Sequence, residues 1–187
     1  MKKKYSSVIV VLAILDTLCS CNSNDKRIAI NLYKERESLL KEFKDKSVID
    51  RGGKFYRLSY YKGQSVNTFS FEKRDTSFIL TNDTLQYPIT EITAFVTVSN
   101  GDSSTYVQTL INELSRLLNV MNDFEISHVS AENRTAGVDM KIYFGNYKAL
   151  LYVSNISAVK NERWRNYIQS GEKFDENWFY VKDELAK

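Results

Sequence analysis

Two long stretches with helical spacing of apolar residues, and between them short runs rich in aromatic and β-branched residues, predict an α+β protein. The expected architecture is an antiparallel sheet, or two, with helices packed on one face. The expected order is a helix and four strands, a second helix and three strands, then a short helix and one strand (α-β4-α-β3-α-β). A chain of 187 residues, 43% of them apolar, can bury a real core. Its 26% charged residues fit a globular composition.

The first helix is expected over 26–46, where Ile28, Leu32, Leu39, Leu40 and Phe43 share a stripe and Asn24 or Asp25 can cap it. Arg51-Gly52-Gly53 interrupts the pattern. Strands are then expected at Lys54–Tyr61, Val66–Lys73, Ser77–Leu80 and Ile89–Ser99, separated by polar turns such as Lys62-Gly63-Gln64, Arg74-Asp75 and Asn82-Asp83. The second helix has the clearest signal. Val107, Leu110, Ile111, Leu114, Leu117, Leu118 and Met121 follow the i, i+3, i+4, i+7 pattern, with a capping box offered by Thr105 and Gln108. Three strands follow (Phe124–Ala131, Val138–Phe144, Tyr147–Ser154), the last two joined at Gly145-Asn146. A short helix near Glu162–Gln169 ends at Gly171, and a final strand covers Asn177–Lys182. The repeated helix-then-strands order suggests two similar halves (27–99 and 103–187) without matching residues. Whether they share a sheet is not decided by the sequence.

The N-terminus has a different character. Lys2, Lys3 and Lys4 precede an apolar run from Val8 to Leu15, too short for the ~20 residues that span a bilayer. Basic start and short apolar run fit a secretory signal peptide. Leu18-Cys19-Ser20-Cys21 then resembles the lipobox of bacterial lipoproteins, with Leu18 three places before Cys21 and a small residue, Ser20, just before it. Asp16 departs from that pattern. The resemblance implies removal of residues 1–20, a diacylglycerol thioether on Cys21 and a third acyl chain on its amine. Residues 21–26 would be the lipidated Cys and a tether, and 27–187 the folded α+β domain. Two or three chains anchor stably where one does not. Asn22, by resemblance to enterobacterial sorting, favours the outer membrane, periplasmic or surface-facing.

The charge balance follows from this. The formal charge is +3, from 26 Lys+Arg against 23 Asp+Glu. The leader would carry off three lysines and Asp16, leaving a nearly balanced chain. Nothing in it forms the concentrated basic patch of a nucleic-acid binder.

Few residues suggest chemistry. Gly101-Asp102-Ser103 resembles the nucleophile motif of GDS-type serine esterases, a family whose base sits in a late Asp-x-x-His; that motif is missing here. The one histidine, His128, follows within an expected strand, on the face of Phe124 and Ile126. Turn formation and helix capping account for Gly101-Asp102-Ser103. No catalytic set, resident metal site or cofactor is expected. Aromatic residues reach 13%, and Tyr60, Trp164, Trp178 and Tyr180 are the candidates for a binding surface, because flat amphipathic rings suit protein or glycan partners. Asp83-Thr84-Leu85 resembles the O-glycosylation signal of some Gram-negative envelope proteins, with Thr84 as acceptor in a turn. The expected function is that of a lipid-anchored envelope protein binding a protein or glycan partner. An envelope hydrolase or carbohydrate-active enzyme with a carboxylate site, and an immunity or inhibitor-type lipoprotein, are the alternatives.

Overall fold

A computed structural model describes residues 24–88, 103–145 and 148–182. Cys21, the expected strand Ile89–Ser99, Gly101 and Asp102 lie outside the described residues.

The first helical stretch is α1 (24–34) followed by α2 (Arg36–Phe43). The two are nearly continuous, since Leu39 N still donates to Glu35 O at 3.0 Å. The helix does not run to 46 as the apolar stripe suggested. Asp45 takes a left-handed φ of 59°, and the chain enters strand β1 (Lys46–Asp50), where Val48 and Ile49 favour extended backbone. Strands β2 (Phe55–Lys62), β3 (Ser65–Arg74) and β4 (Ser77–Thr84) form an antiparallel meander on β1. Asn82-Asp83 is no turn: β4 runs through it, paired to β3 across a bulge at Ser70/Phe71.

The second helix is α3 (Ser103–Asp123), so Thr105 sits inside it and not at its cap; Thr109 Oγ1 donates to Thr105 O at 2.8 Å. Glu125, at φ 58°, repeats the left-handed exit of Asp45. A second meander follows: β5 (Ile126–Ser130), β6 (Met140–Phe144), β7 (Lys148–Tyr152), then helix α4 (Glu162–Ser170), a two-residue strand β8 (Glu172–Lys173) and β9 (Trp178–Lys182).

The two meanders share one nine-stranded sheet in the order β4-β3-β2-β1-β5-β6-β7-β9-β8, every pair antiparallel. Their first strands meet at the centre, where Val48 pairs with Val129. The helices cover the sheet crosswise. Helix α3 rests on β1, β4 and β5, whereas α1 reaches the far end, where Tyr33 Oη donates to Asp175 at 2.8 Å and Lys26 pairs with Glu172 at 3.0 Å.

One face of the sheet packs against α1, α2 and α3, with Leu32, Leu39, Phe43, Leu110 and Leu117 meeting Leu58, Phe69, Ile142 and Leu150. Helix α4 lies on the other face, where Trp164 and Ile168 cover Tyr143, Leu151 and Phe179. Helices on a single face were expected; β6 and β9 bury residues of both faces and so require cover on each. On the first half that other face is polar, with Ser47, Ser59, Thr68 and Thr84 in register across β1–β4.

Candidate groove beside the second helix

The sequence-derived aromatic candidates do not form a surface. Tyr60, Trp164, Trp178 and Tyr180 are 5%, 7%, 2% and 9% exposed. Alternation in β9 sends Trp178 and Tyr180 into the core under α1–α3, and Phe179 and Val181 into the core under α4. These rings are structural because both sheet faces are roofed at that end. Trp164 is further engaged by Lys141, whose Nζ lies 4.9 Å from its ring.

His128 is also placed differently from its simple alternation. A bulge between Ile126 and His128 pairs Ile126 with Phe144 on the inner face and His128 with Tyr143 on the outer one. The imidazole stacks on Tyr143 at 3.9 Å between centroids. Ser103 begins α3 and His128 follows its end. A helix of this length separates its ends by roughly 30 Å, so Ser103 and His128 do not form a nucleophile–base pair. Thr84 is exposed at the end of strand β4, not in a turn, and the neighbouring Asp83 accepts from Tyr106 Oη at 3.0 Å.

What the fold does build is a groove of about 720 Å³ between the C-terminal half of α3, the strand ends of the first meander and the start of β5, where Ser127 and His128 line it. Its helix wall is Ser115, Leu118, Asn119, Met121 and Asn122, a mixed flank beside the stripe of Leu114 and Leu117 that turns to the core. Ser115 Oγ is used internally, donating to Ile111 O at 2.8 Å. The side-chain amides of Asn119 and Asn122 make no hydrogen bond among the described residues. The sheet wall is Tyr56 and Phe78, edge-to-face at 5.4 Å, with Lys73 Nζ 6.0 Å from the Phe78 ring. Burial, and then the charge of Asp50, push the Tyr56 hydroxyl above its ordinary value, so it stays protonated and able to donate. Asp50 Oδ1 accepts from Gly52 N at 2.7 Å, which fixes the carboxylate at the groove's end.

The chain matches no protein-family model, no curated protein and no solved structure.

The groove is open because of one short turn. Asp75, at φ 53°, and Thr76 alone join β3 to β4. In the second half the connection from β7 to β9 runs through 153–177 and ties down its helix: Tyr33 Oη and the backbone N–H groups of Asn177 and Trp178 all donate to Asp175, and Phe174 packs edge-on to Tyr33 at 5.1 Å. A second cavity of about 700 Å³ lies by the β8–β9 edge, lined by Tyr167, Gly171, Glu172 and Tyr180. Among the described residues no three His, Cys, Asp or Glu side chains gather to hold a metal ion, and no helix is long and apolar enough to cross a membrane. The sequence reading missed the groove because its members come from α3 and five strands. Their only local signal is the mixed flank of an otherwise apolar-striped helix.

Proposed function

We propose that this chain is a lipid-anchored cell-envelope protein that binds a partner through the groove beside α3. The anchor reading is supported by Leu18-Cys19-Ser20-Cys21 behind a basic, short apolar leader. The binding reading is carried by one observation: an open groove of mixed polar and apolar lining whose helix wall presents two side-chain amides that make no hydrogen bond among the described residues. Asn119 and Asn122 are exposed, so their amides are hydrated in the free protein and open to an incoming ligand. The expected tether 21–26 is shorter than the sequence suggested, since α1 already begins at residue 24, and an anchor on Cys21 would place that helix close to the membrane surface.

The anchor is tested by growing cells with labelled fatty acid. The unaltered protein incorporates label and fractionates with membranes; Cys21→Ala loses the label and accumulates as an uncleaved precursor. Continued labelling of Cys21→Ala would rule out the assigned site.

A further inference from the structure

We infer that the tip of the β1–β2 hairpin is a second membrane contact, seated in the headgroup layer of the phospholipid bilayer that holds the anchor. The inference rests on the lipid-anchor reading above and adds the face that the protein turns to the membrane. Arg51, Gly52, Gly53, Lys54 and Phe55 form the tip, and all of them are exposed. Phe55, at 55%, is the most exposed large apolar side chain among the described residues. Arg51 and Lys54 stand beside it, and neither forms an ion pair among the described residues. The tip is a formed turn: Arg51 N donates to Phe55 O at 2.9 Å, and Gly52 N to Asp50 Oδ1 at 2.7 Å. A side chain added at Gly52 or Gly53 would meet nothing within 4 Å, so the tip stands clear of the fold.

Strand directions put this tip at the end of the sheet where α1 begins. Val48 pairs antiparallel with Val129, so β1 ends where β5 starts. Ile126, the first residue of β5, pairs with Phe144, the last of β6. A Cβ on the next residue, Gly145, would lie 2.6 Å from Asp25 Oδ1 in the first turn of α1. With β2, β1, β5, β6 and β7 adjacent in the sheet, the tip lies roughly 15 Å from the β6–β7 turn. Helix α1 is itself fixed in the core through Ile28, Ala29 and Leu32. Even fully extended, the chain from Cys21 to Asn24 reaches at most ~11 Å. An anchor on Cys21 would therefore hold this end of the sheet against the bilayer.

The chemistry of the tip suits that surface. Guanidinium and ammonium groups make charge-assisted hydrogen bonds to lipid phosphates, and a phenyl ring gains by burial at the acyl boundary. A protein partner needs ~800 Å² on each side, which so short a convex tip does not offer. Strand addition is closed as well, because β1 and β2 are each hydrogen-bonded on both sides. A small soluble ligand would find no enclosing wall.

The test reconstitutes the full-length protein into vesicles of phosphatidylethanolamine and phosphatidylglycerol that include acyl-brominated lipid, which quenches tryptophan at the membrane. Phe55→Trp keeps an aromatic ring at the tip, and Gln64→Trp puts a probe in the β2–β3 turn at the opposite end of the sheet. The unaltered protein, with buried Trp164 and Trp178, supplies the background. The added fluorescence at position 55 should be quenched and that at position 64 should not. Adding Arg51→Ser and Lys54→Ser to Phe55→Trp should abolish the quenching; these positions are exposed, so an unchanged circular dichroism spectrum is expected. Vesicle flotation and incorporated fatty acid are measured on the same preparations. Acylated, floating protein with no quenching at 55, equal quenching at 64, or quenching untouched by loss of both cations would overturn the contact and leave the anchor standing. Quenching at 55 in protein without fatty acid would overturn the anchor and leave the contact standing. Neither fatty acid nor flotation would remove both.

Discussion

Tyr60 carries its hydroxyl into the core under the helices, where the oxygen has no hydrogen-bond partner among the described residues. Burial first, and then the charge of Glu113, raise the hydroxyl far above its ordinary pKa. The ring is well used, edge-on to Phe69 at 6.1 Å and 5.8 Å from Lys46 Nζ. Tyr60→Phe keeps the ring and removes the unsatisfied oxygen, so it should stabilise the protein by about 1 kcal/mol in urea unfolding. Glu113 is the opposite case, a mostly buried carboxylate with its partners in place. Burial pushes it up, but hydrogen bonds from Arg116 and from Lys46, the latter at 2.9 Å, leave it below the ordinary carboxylate value. A carboxyl depressed in the folded state contributes stability above its unfolded pKa of ~4 and loses it as pH falls through the folded value. The urea midpoint should therefore drop between about pH 5 and pH 3, and Glu113→Gln should flatten that part of the profile.

The helices and most strands were legible in the sequence because their signals are local and periodic. The stripe in α3 and the alternation in β9 depend on neighbours a few residues away. Strand β1 was not legible: its five residues follow a helix directly, and only the left-handed turn at Asp45 separates them. Nor was the bulge at Ile126/His128, which turns the histidine to the other face and depends on pairing with β6. The groove was invisible for the same reason, since Tyr56, Phe78 and Asn119 meet only through long-range pairing. At this scale Asp175 is the clearest test of how the long β7–β9 connection is held. It accepts from Tyr33 Oη at 2.8 Å, Asn177 N at 2.8 Å and Trp178 N at 2.9 Å, and Arg36 Nε lies 3.8 Å away. Asp175→Ala should cost about 2 kcal/mol in thermal or urea unfolding, more than removal of an exposed acid such as Glu176.

On the scale of the whole molecule, the two helix-and-meander halves are joined by a shared sheet and by helices that cross between them. Ser47 Oγ accepts from Ala131 N at 2.8 Å, and Arg57 pairs with Glu132, so the seam is tied by side chains as well as by β1 and β5. The two halves should unfold together. Tryptophan fluorescence reports only on the second half, through Trp164 and Trp178. Amide exchange in β2 and β3 reports on the first. The two probes should give the same urea midpoint; a first half that melts separately would contradict this coupling.

Crosswise cover also governs when the chain can begin to fold during synthesis. The apolar face of β1–β4 is complete once Thr84 has been made, but α3, which completes the roof that α1 and α2 begin, starts at Ser103 and ends at Asp123. A nascent chain that has emerged only as far as its first meander thus has α1 and α2, but not α3, to cover Leu58, Phe69 and Phe71. In a chain exported as proposed above, through a narrow membrane channel, that delay would be useful. A polypeptide unable to close its core early stays in the unfolded form that a translocation pore admits.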